Sequence, residues 1–507
     1  MSRILQLQRL AFPLTCGQLA FALNGFVTHW FLAHSSSTAF HASLPGSMLA
    51  VAISSIFISS LAYSGTILAQ RHGAGDTEGA RQVFRRAIVL TILSAPLFLL
   101  AVPIGHFILS IFDTQPEVLQ AESAYYDILL ANGFFTALAA VLGGYFTGRG
   151  KTRLVGAMTT SGFILNMALS PIFINGAFGL PLHGIVGAGW AATIAHIVPC
   201  IILATLILFR HPGNLPAPSN RSPITYSLIL KIGHPNGIRS VIDIGGFFVF
   251  VAVLAECPPA AVAASTAAFA VNGIYQAFPQ GLSAALEIVT ARGDARNLRP
   301  ALTSTAAYVA LFALVLSVWG TSFLCHFRAK DATFSLEEFL VTARPLVLIL
   351  AVKAIFESLV IVLQAHLKGL GRTSTVLYIQ LFSSCCFWMP LYFCVRQFHP
   401  SIPLYWLTMI ACSALSTSLL LWKIKFRTRH QRHTRGQDTH HSGNIPRIHL
   451  HILSSCISPG SCRAVADAPR GASAPARAAG GRVRGDARPR SAPPRSRPCG
   501  PPRGRDA

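Results

Sequence analysis

Twelve stretches of this chain are apolar over about 20 residues, the length a helix needs to cross the hydrocarbon core of a bilayer. They fall at roughly 11–33, 44–69, 87–110, 125–146, 155–175, 185–209, 232–255, 262–290, 301–325, 339–366, 374–395 and 402–422. Nothing else restricts the fold as strongly. Inside lipid every backbone N–H and C=O must be satisfied within the segment, so such stretches cross as helices. Composition agrees with this: 52% of the residues are hydrophobic and only 12% charged, with a mean hydropathy of +0.52. A soluble chain carries about 25% charge. The expected fold class is an all-α membrane protein of twelve transmembrane helices. The first stretch reads as a span and not as a cleaved signal, because no small-residue cleavage site follows it.

The net charge of +23 resembles that of a nucleic-acid binder, but it is unevenly placed. From Lys423 to the end stand 18 Lys or Arg and 4 Asp, a net +14, which leaves +9 for the apolar body. Residues 425–507 are rich in Arg, Pro, Gly and Ala and cannot build a core, so a disordered basic tail is expected there. Anionic headgroups or nucleic acid are the partners such a tail would take, and no nucleic-acid contact is expected of residues 1–424. The eleven cysteines show no CxxC framework and most lie in apolar runs, so neither disulfides nor a metal site is indicated. Between the spans, one alternate set of connections carries 15 Lys or Arg, from Arg71 to Arg372, and the other only Arg328, Lys330 and Arg396. Basic loops stay on the cytoplasmic side. Both termini are therefore expected in the cytoplasm.

The stretch "GGYFTGRGKT" (143–152) ends like a phosphate-binding loop, but the first glycine of that motif would have to stand where Tyr145 does, and no short strand precedes it. A different explanation comes from an internal repeat. "YFTGRGKT" (145–152) recurs as "HLKGLGRT" (366–373), Pro13 as Pro235, and Gly75-Asp76 as Gly293-Asp294. The offsets are 221, 222 and 218. Two halves of six spans follow, and an even number of spans gives both the same orientation. The expected arrangement is a parallel repeat about an axis along the membrane normal, with a cavity between lobes 1–215 and 216–424. Glycines and basic residues of 148–153 then form a tight cytoplasmic turn.

These landmarks resemble the multidrug and toxic compound extrusion (MATE) family. The resemblance rests on Pro13, "QRHGAGD" (70–76), "GRGKT" (148–152), Asn166 with "FGLPLHGIVGAGWAATIAH" (178–196), "AFPQGLSAALEIVTARGD" (277–294) and "LKGLGRT" (367–373), and it covers about residues 1–422. It implies a secondary antiporter of the bacterial cytoplasmic (inner) membrane, a monomer of two six-helix lobes. Such a protein exports organic cations in exchange for H⁺ or Na⁺ and needs no other cofactor and no ATP. The fold is shared with flippases of lipid-linked sugars, so it does not fix the substrate.

Carboxylates inside spans are costly, at about 2.5–3.5 kcal/mol each near the bilayer centre, and they mark ion pathways. Three are candidates for ion coupling. Glu357 stands mid-way in span ten, near the place where the resemblance puts a coupling carboxylate, and Lys353 one turn earlier offers it a partner. Asp243 in span seven has Arg239 at the same spacing. Glu287 in span eight lies a turn from Arg292, which suggests an ion pair at the cytoplasmic end. A carboxyl group away from water holds its proton more tightly, which suits exchange of a proton for a cation at one negative site. Where many relatives have an Asp in span one, this chain has Thr28, followed by the titratable His29. Coupling is therefore placed in the C-terminal lobe. Asn24, Thr28, Asn166, Tyr275, Gln276 and Lys353 are candidates to line the substrate cavity, although such polar groups also serve to join helices. The cations Lys353 and Arg239 inside spans keep a lipid-linked saccharide flippase open as the alternative. An integral-membrane transferase would need a polar catalytic cluster on a loop, and the short loops offer none.

Overall fold

The computed structural model describes residues 3–35, 37–111, 115–176, 184–210, 225–255, 257–326, 335–398 and 402–438. Among these the regular elements are thirteen α-helices and one 3-10 turn. The first half comprises α1 (Arg3–Ser35), α2 (Ser37–Ala62), α3 (Ser64–Gly73), α4 (Thr77–Ser110), α5 (Pro116–Gly148), α6 (Thr152–Ile174) and α7 (Gly184–Arg210). The second comprises α8 (Tyr226–Ala255), α9 (Pro259–Ala291), α10 (Leu298–His326), α11 (Leu336–Gly369), α12 (Thr373–Phe398) and α13 (Ile402–Asp438). The helix breaks only at Tyr63 between α2 and α3, so these two form one interrupted span and each half has six.

Nine of the helices, over their described residues, are long and apolar enough to cross a membrane. The described residues of α8 and α9 give no such stretch, and those of α12 a shorter one, Thr373–Phe387. In α9 polar residues within the helix, Asn272 and Gln276 among them, lower the mean hydropathy. The outward surface is apolar. Leu99, Leu208, Phe209 and Leu348 are each at least 71% exposed, as side chains facing lipid are. The expected boundary between lobes, at 215/216, and the tail beyond 438 lie outside the described residues. Helix α13 runs past its expected end near 422 to Asp438, so the basic segment begins as a continuation of the last helix.

Local chemistry explains the turns. Asp76 caps α4, its carboxylate accepting from the Gly79 N–H at 2.9 Å, and Asp294 accepts from Arg296 N–H at 3.3 Å at the matching place. Gly75 and Gly293 have φ of +72° and +101°, and Gly150 and Gly371 have +78° and +79°, which glycine adopts without a Cβ clash. Each pair closes a helix in the same way: Lys151 N–H reaches the Phe146 carbonyl and Arg372 N–H the Leu367 carbonyl, at 2.9 and 3.0 Å. The Gly-Lys-Thr stretch is thus a helix C-cap and turn, and it is built twice.

Packing follows the same two-fold relation. In one half α1 packs on α6, α2 on α5, and α5 on α4 and α7; in the other α8 packs on α12, α9 on α11, and α11 on α10 and α13. In the second half the core centres on Trp406, which is fully buried, stacks on Phe269 at 4.6 Å and donates from Nε1 to Ser265 Oγ at 3.2 Å. The halves meet where α1 crosses α9 and where α2 crosses α8, and these two crossings are themselves counterparts. At the first, Gly281 lies so close to Thr15 that a Cβ would stand 2.6 Å from the Thr15 backbone nitrogen. At the second, Gly237 lies against Ser60 and the Ile56 carbonyl. Positions 15 and 237, and 60 and 281, are repeat mates at offsets of 222 and 221. One crossing is therefore made twice, with glycine facing a hydroxyl residue each time.

A Gly281→Ala substitution forces α1 and α9 apart and is expected to lower stability by about 1–3 kcal/mol, read as an earlier thermal transition of the purified protein. Gly273→Ala on the same helix, where a Cβ meets nothing within 4 Å, is the control and leaves the transition unchanged or raises it.

Candidate functional site

Helix α11 carries a polar stripe. Lys353, Glu357, Gln364 and Lys368 follow one another at spacings of four, seven and four, which places them on one helix face. Lys353 is 2% exposed and its Nζ sits 2.5 Å from Glu357 Oε2. The same oxygen accepts from Asn272 Nδ2 of α9 at 3.4 Å. One turn beyond Asn272, the buried Tyr275 hydroxyl bonds Ser358 Oγ at 2.7 Å, and its ring stacks on Phe312 of α10 at 4.1 Å. Glu357 therefore sits where α9, α10 and α11 are tied together. It lies twelve residues before Gly369, about 18 Å along the helix at 1.5 Å per residue.

Toward the end of the bundle that carries the basic turns, Arg239 of α8 pairs with Asp243 and also donates to Gln364 Oε1 at 3.4 Å. Gln364 in turn donates to Gln380 of α12 at 3.1 Å. Both local ion pairs, Lys353–Glu357 and Arg239–Asp243, form as their spacing implies.

Glu287 departs from expectation. Its carboxylate pairs with Lys368 Nζ at 3.0 Å and accepts from Thr66 Oγ1 of α3 at 2.6 Å. Arg292 turns away instead, donating from Nε and Nη2 to the Gly148 carbonyl at 3.2 and 2.9 Å. The physical reason is that Gly148 ends α5, and a helix leaves its last carbonyls without partners. Burial lowers the pKa of the Arg292 guanidinium, which stays a cation and a donor. The repeat mate of Gly148 is Gly369, the last residue of α11, and its carbonyl accepts from Gln70 Nε2 at 2.9 Å. Tyr63 donates to the Lys368 carbonyl at 2.5 Å. Donors from each half thus cap the helix ends of the other, and the two halves are joined at the basic end.

The first half has different chemistry. Asn24 Oδ1, Thr28 Oγ1 and Asn132 Oδ1 are buried with no hydrogen-bond partner among the described residues. Asn166 is buried and accepts from Ser170 at 3.2 Å, and Gln276 of α9 accepts from Gln280 at 3.1 Å. The side chain of His29 lies outside the described residues. A cavity of about 470 Å³ opens among α1, α3, α5, α6, α7 and α9, lined in part by Gln18, Thr66, Thr136, Thr147, His196 and Glu287. Of the residues expected to serve coupling or substrate, Glu287 lines it. Asn24, Thr28, Asn166, Tyr275, Gln276, Lys353, Asp243 and Glu357 do not. Sequence reading also missed Thr66 and Lys368 as partners of Glu287. The repeat carried the signal for the first, because Thr66 and Glu287 are 221 residues apart and so are mates that meet on the two-fold axis.

An all-helical bundle of two equivalent six-span halves, with ion pairs inside the spans, defines a multi-pass membrane protein of the transporter type. The MatE family pattern matches residues 13–172 and again 235–393, the two halves in register. The chain belongs to the MatE family, that of the multidrug and toxic compound extrusion transporters. Among curated relatives, a probable multidrug resistance protein NorM of Mannheimia succiniciproducens is 25% identical over 55% of this chain. The chain spans only 62% of that relative's length. Another so named, of Pseudomonas putida, is 24% identical over 76% of this chain and 85% of its own. Among solved structures, a MOP-superfamily transporter from Pyrococcus furiosus, described as having a binding pocket of reverse polarity that suggests a different function, matches with a TM-score of 0.70 at 19% identity. The match covers 83% of this chain and 95% of that one.

Removing one member of a buried ion pair leaves the other uncompensated, at a cost of about 3–5 kcal/mol. Glu357→Gln alone is therefore expected to lower the thermal transition strongly. The double variant Lys353→Met/Glu357→Gln removes both charges and is expected to unfold near the wild-type temperature, which differential scanning of the purified proteins will show.

Proposed function

We propose that this chain is a secondary active antiporter that exports organic cations in exchange for H⁺ or Na⁺ by alternating access. The observation that carries this reading is Glu357, an acid inside a span, held by the buried Lys353 and by Asn272 of a neighbouring helix in a bundle of two halves. Intramembrane carboxylates of this kind mark ion pathways. The family relation supports transport, and the relatives named for multidrug resistance support organic cations as cargo. The basic ends of the spans support a cytoplasmic position for those turns, and the bacterial relatives support an inner membrane. Entry of the coupling ion down a membrane potential supplies about 2.3 kcal/mol per charge per 100 mV, so no ATP is needed. A single chain suffices, since both halves are present in it.

A second reading has its own support. Lys353 and Arg239 are cations inside spans, and each balances one acid. A site so balanced also suits an anionic substrate, such as a lipid-linked saccharide, and the Pyrococcus furiosus transporter of related fold was described as having a pocket of reversed polarity.

Purified protein in liposomes without ATP separates the two. A pH or Na⁺ gradient is expected to drive movement of a fluorescent organic cation. The double variant Lys353→Met/Glu357→Gln is expected to fall to background while remaining folded. Wild-type rates in that variant would remove Glu357 from the coupling role. Absence of cation movement under either gradient would favour the flippase, with a lipid-linked saccharide as the next substrate.

A further inference from the structure

We propose that the Glu287 carboxylate is a binding group for organic cations in the cavity beside it, and that a bound cation takes it from Lys368 and so unfastens the basic end. The inference deepens the antiporter reading and rests on it, giving the cargo a second site remote from Glu357.

The cavity belongs to one half, but its charge comes from the other. Its walls are small and apolar where Ala139, Ala140, Gly143 and Gly144 of α5 line it, and threonine hydroxyls supply the polar atoms. Among its lining residues Glu287 is the single carboxylate, none is Lys or Arg, and His196 is the remaining titratable group. The ring of Phe163 also faces it, packed edge-on to His196 at 5.9 Å. A volume of about 470 Å³ suits a small ligand. Apolar walls, an aromatic ring and one negative charge suit an amphipathic monocation.

The same carboxylate is part of the fastening between the halves. Oε1 accepts from Thr66 of α3 across the two-fold axis, and Oε2 holds Lys368 of α11. The Lys368 backbone carbonyl accepts from Tyr63, again across the axis. A cation that reaches Glu287 from the cavity competes with the Lys368 ammonium for the same oxygen. Binding and closure then oppose each other, and by linkage whatever weakens the closure strengthens binding by the same factor. The site lies eleven residues from Glu357 along the α11 register, about 16 Å.

The test is equilibrium dialysis of tetraphenylphosphonium against the purified full-length protein. Coupling between sites is typically 5- to 150-fold, so Glu287→Gln is expected to bind about fivefold or more weakly and Lys368→Met about fivefold or more tightly. Thr66→Val, which removes one hydrogen bond at nearly constant shape, is expected to shift affinity in the same direction as Lys368→Met and guards against misfolding of the latter. Unchanged affinity in Glu287→Gln, or no tightening in both Lys368→Met and Thr66→Val, would overturn the proposal and leave the antiporter reading standing. Failure of the wild type to bind the cation at all would overturn both.

Discussion

The two halves touch at backbone distance at two helix crossings and again where α3 ends beside α9, and the rest of the architecture depends on those contacts. Lipid gives helices no hydrophobic reason to associate, so the interface rests on close packing and hydrogen bonds. At the α2–α8 crossing, glycines 233 and 237 admit the backbone of α2, and Asn236 and Ser240 donate to Ser59 at 2.9 and 2.8 Å. At the α1–α9 crossing Gly281 admits Thr15. Further along, Gly73 at the end of α3 meets Arg292 at the end of α9, where a Cβ would come within 2.5 Å of the Arg292 Cα. A narrow contact of small residues, repeated about one axis, makes most of the interface, and at its margins α4 touches α8 and α10 touches α1.

Although the backbone obeys the two-fold relation, the chemistry does not. Glu357, Asp243 and Glu287 all lie in the second half, and each is neutralised by a cation from α11 or from its own helix. The first half has uncharged acceptors, Asn24, Thr28 and Asn132, left without partners among the described residues. The asymmetry is sharpest on the axis itself, where the mates Thr66 and Glu287 face each other as hydroxyl and carboxylate. A charged group at that point has no mate to repel it, which is why one half can carry it.

What could be read from the residues was what is local or periodic. The spans follow from apolar length, and the repeat from glycines at positive φ, which no other residue adopts as cheaply: 75 with 293, 150 with 371. The pairs Lys353–Glu357 and Arg239–Asp243 were legible because residues four apart share a helix face. The same local rule misled at Glu287. Arg292 is near it in sequence, but a helix-ending carbonyl on another helix attracts that guanidinium more effectively, and Lys368 arrives from α11, 81 residues away. The break at Tyr63 and the length of α13 have no signal of comparable strength; the tyrosine hydroxyl is held by a carbonyl on α11 that only the folded bundle brings near.

The paired charges also decide how exchange at Glu357 would work. With the carboxylate ionised, the Lys353–Glu357 pair is neutral as a unit. Protonation of Glu357 would leave the Lys353 ammonium alone in a site that water scarcely reaches, and the site would become a net cation. In a medium of low effective dielectric, like charges a few ångströms apart repel by several kcal/mol. An organic cation would then be expelled by charge, not merely displaced from one oxygen. A sodium ion bound at the carboxylate would change the local charge by the same unit. On this argument the buried lysine, which at first sight speaks against a cation carrier, would make such an exchange exclusive, because cargo and coupling ion could not both be present. The same reasoning gives the anionic alternative its sign: a protonated Glu357 beside Lys353 attracts an anion. Were Glu357 the exchange site, its protonation would set which of the two polarities the site presents, and the surrounding fold would be the same for either.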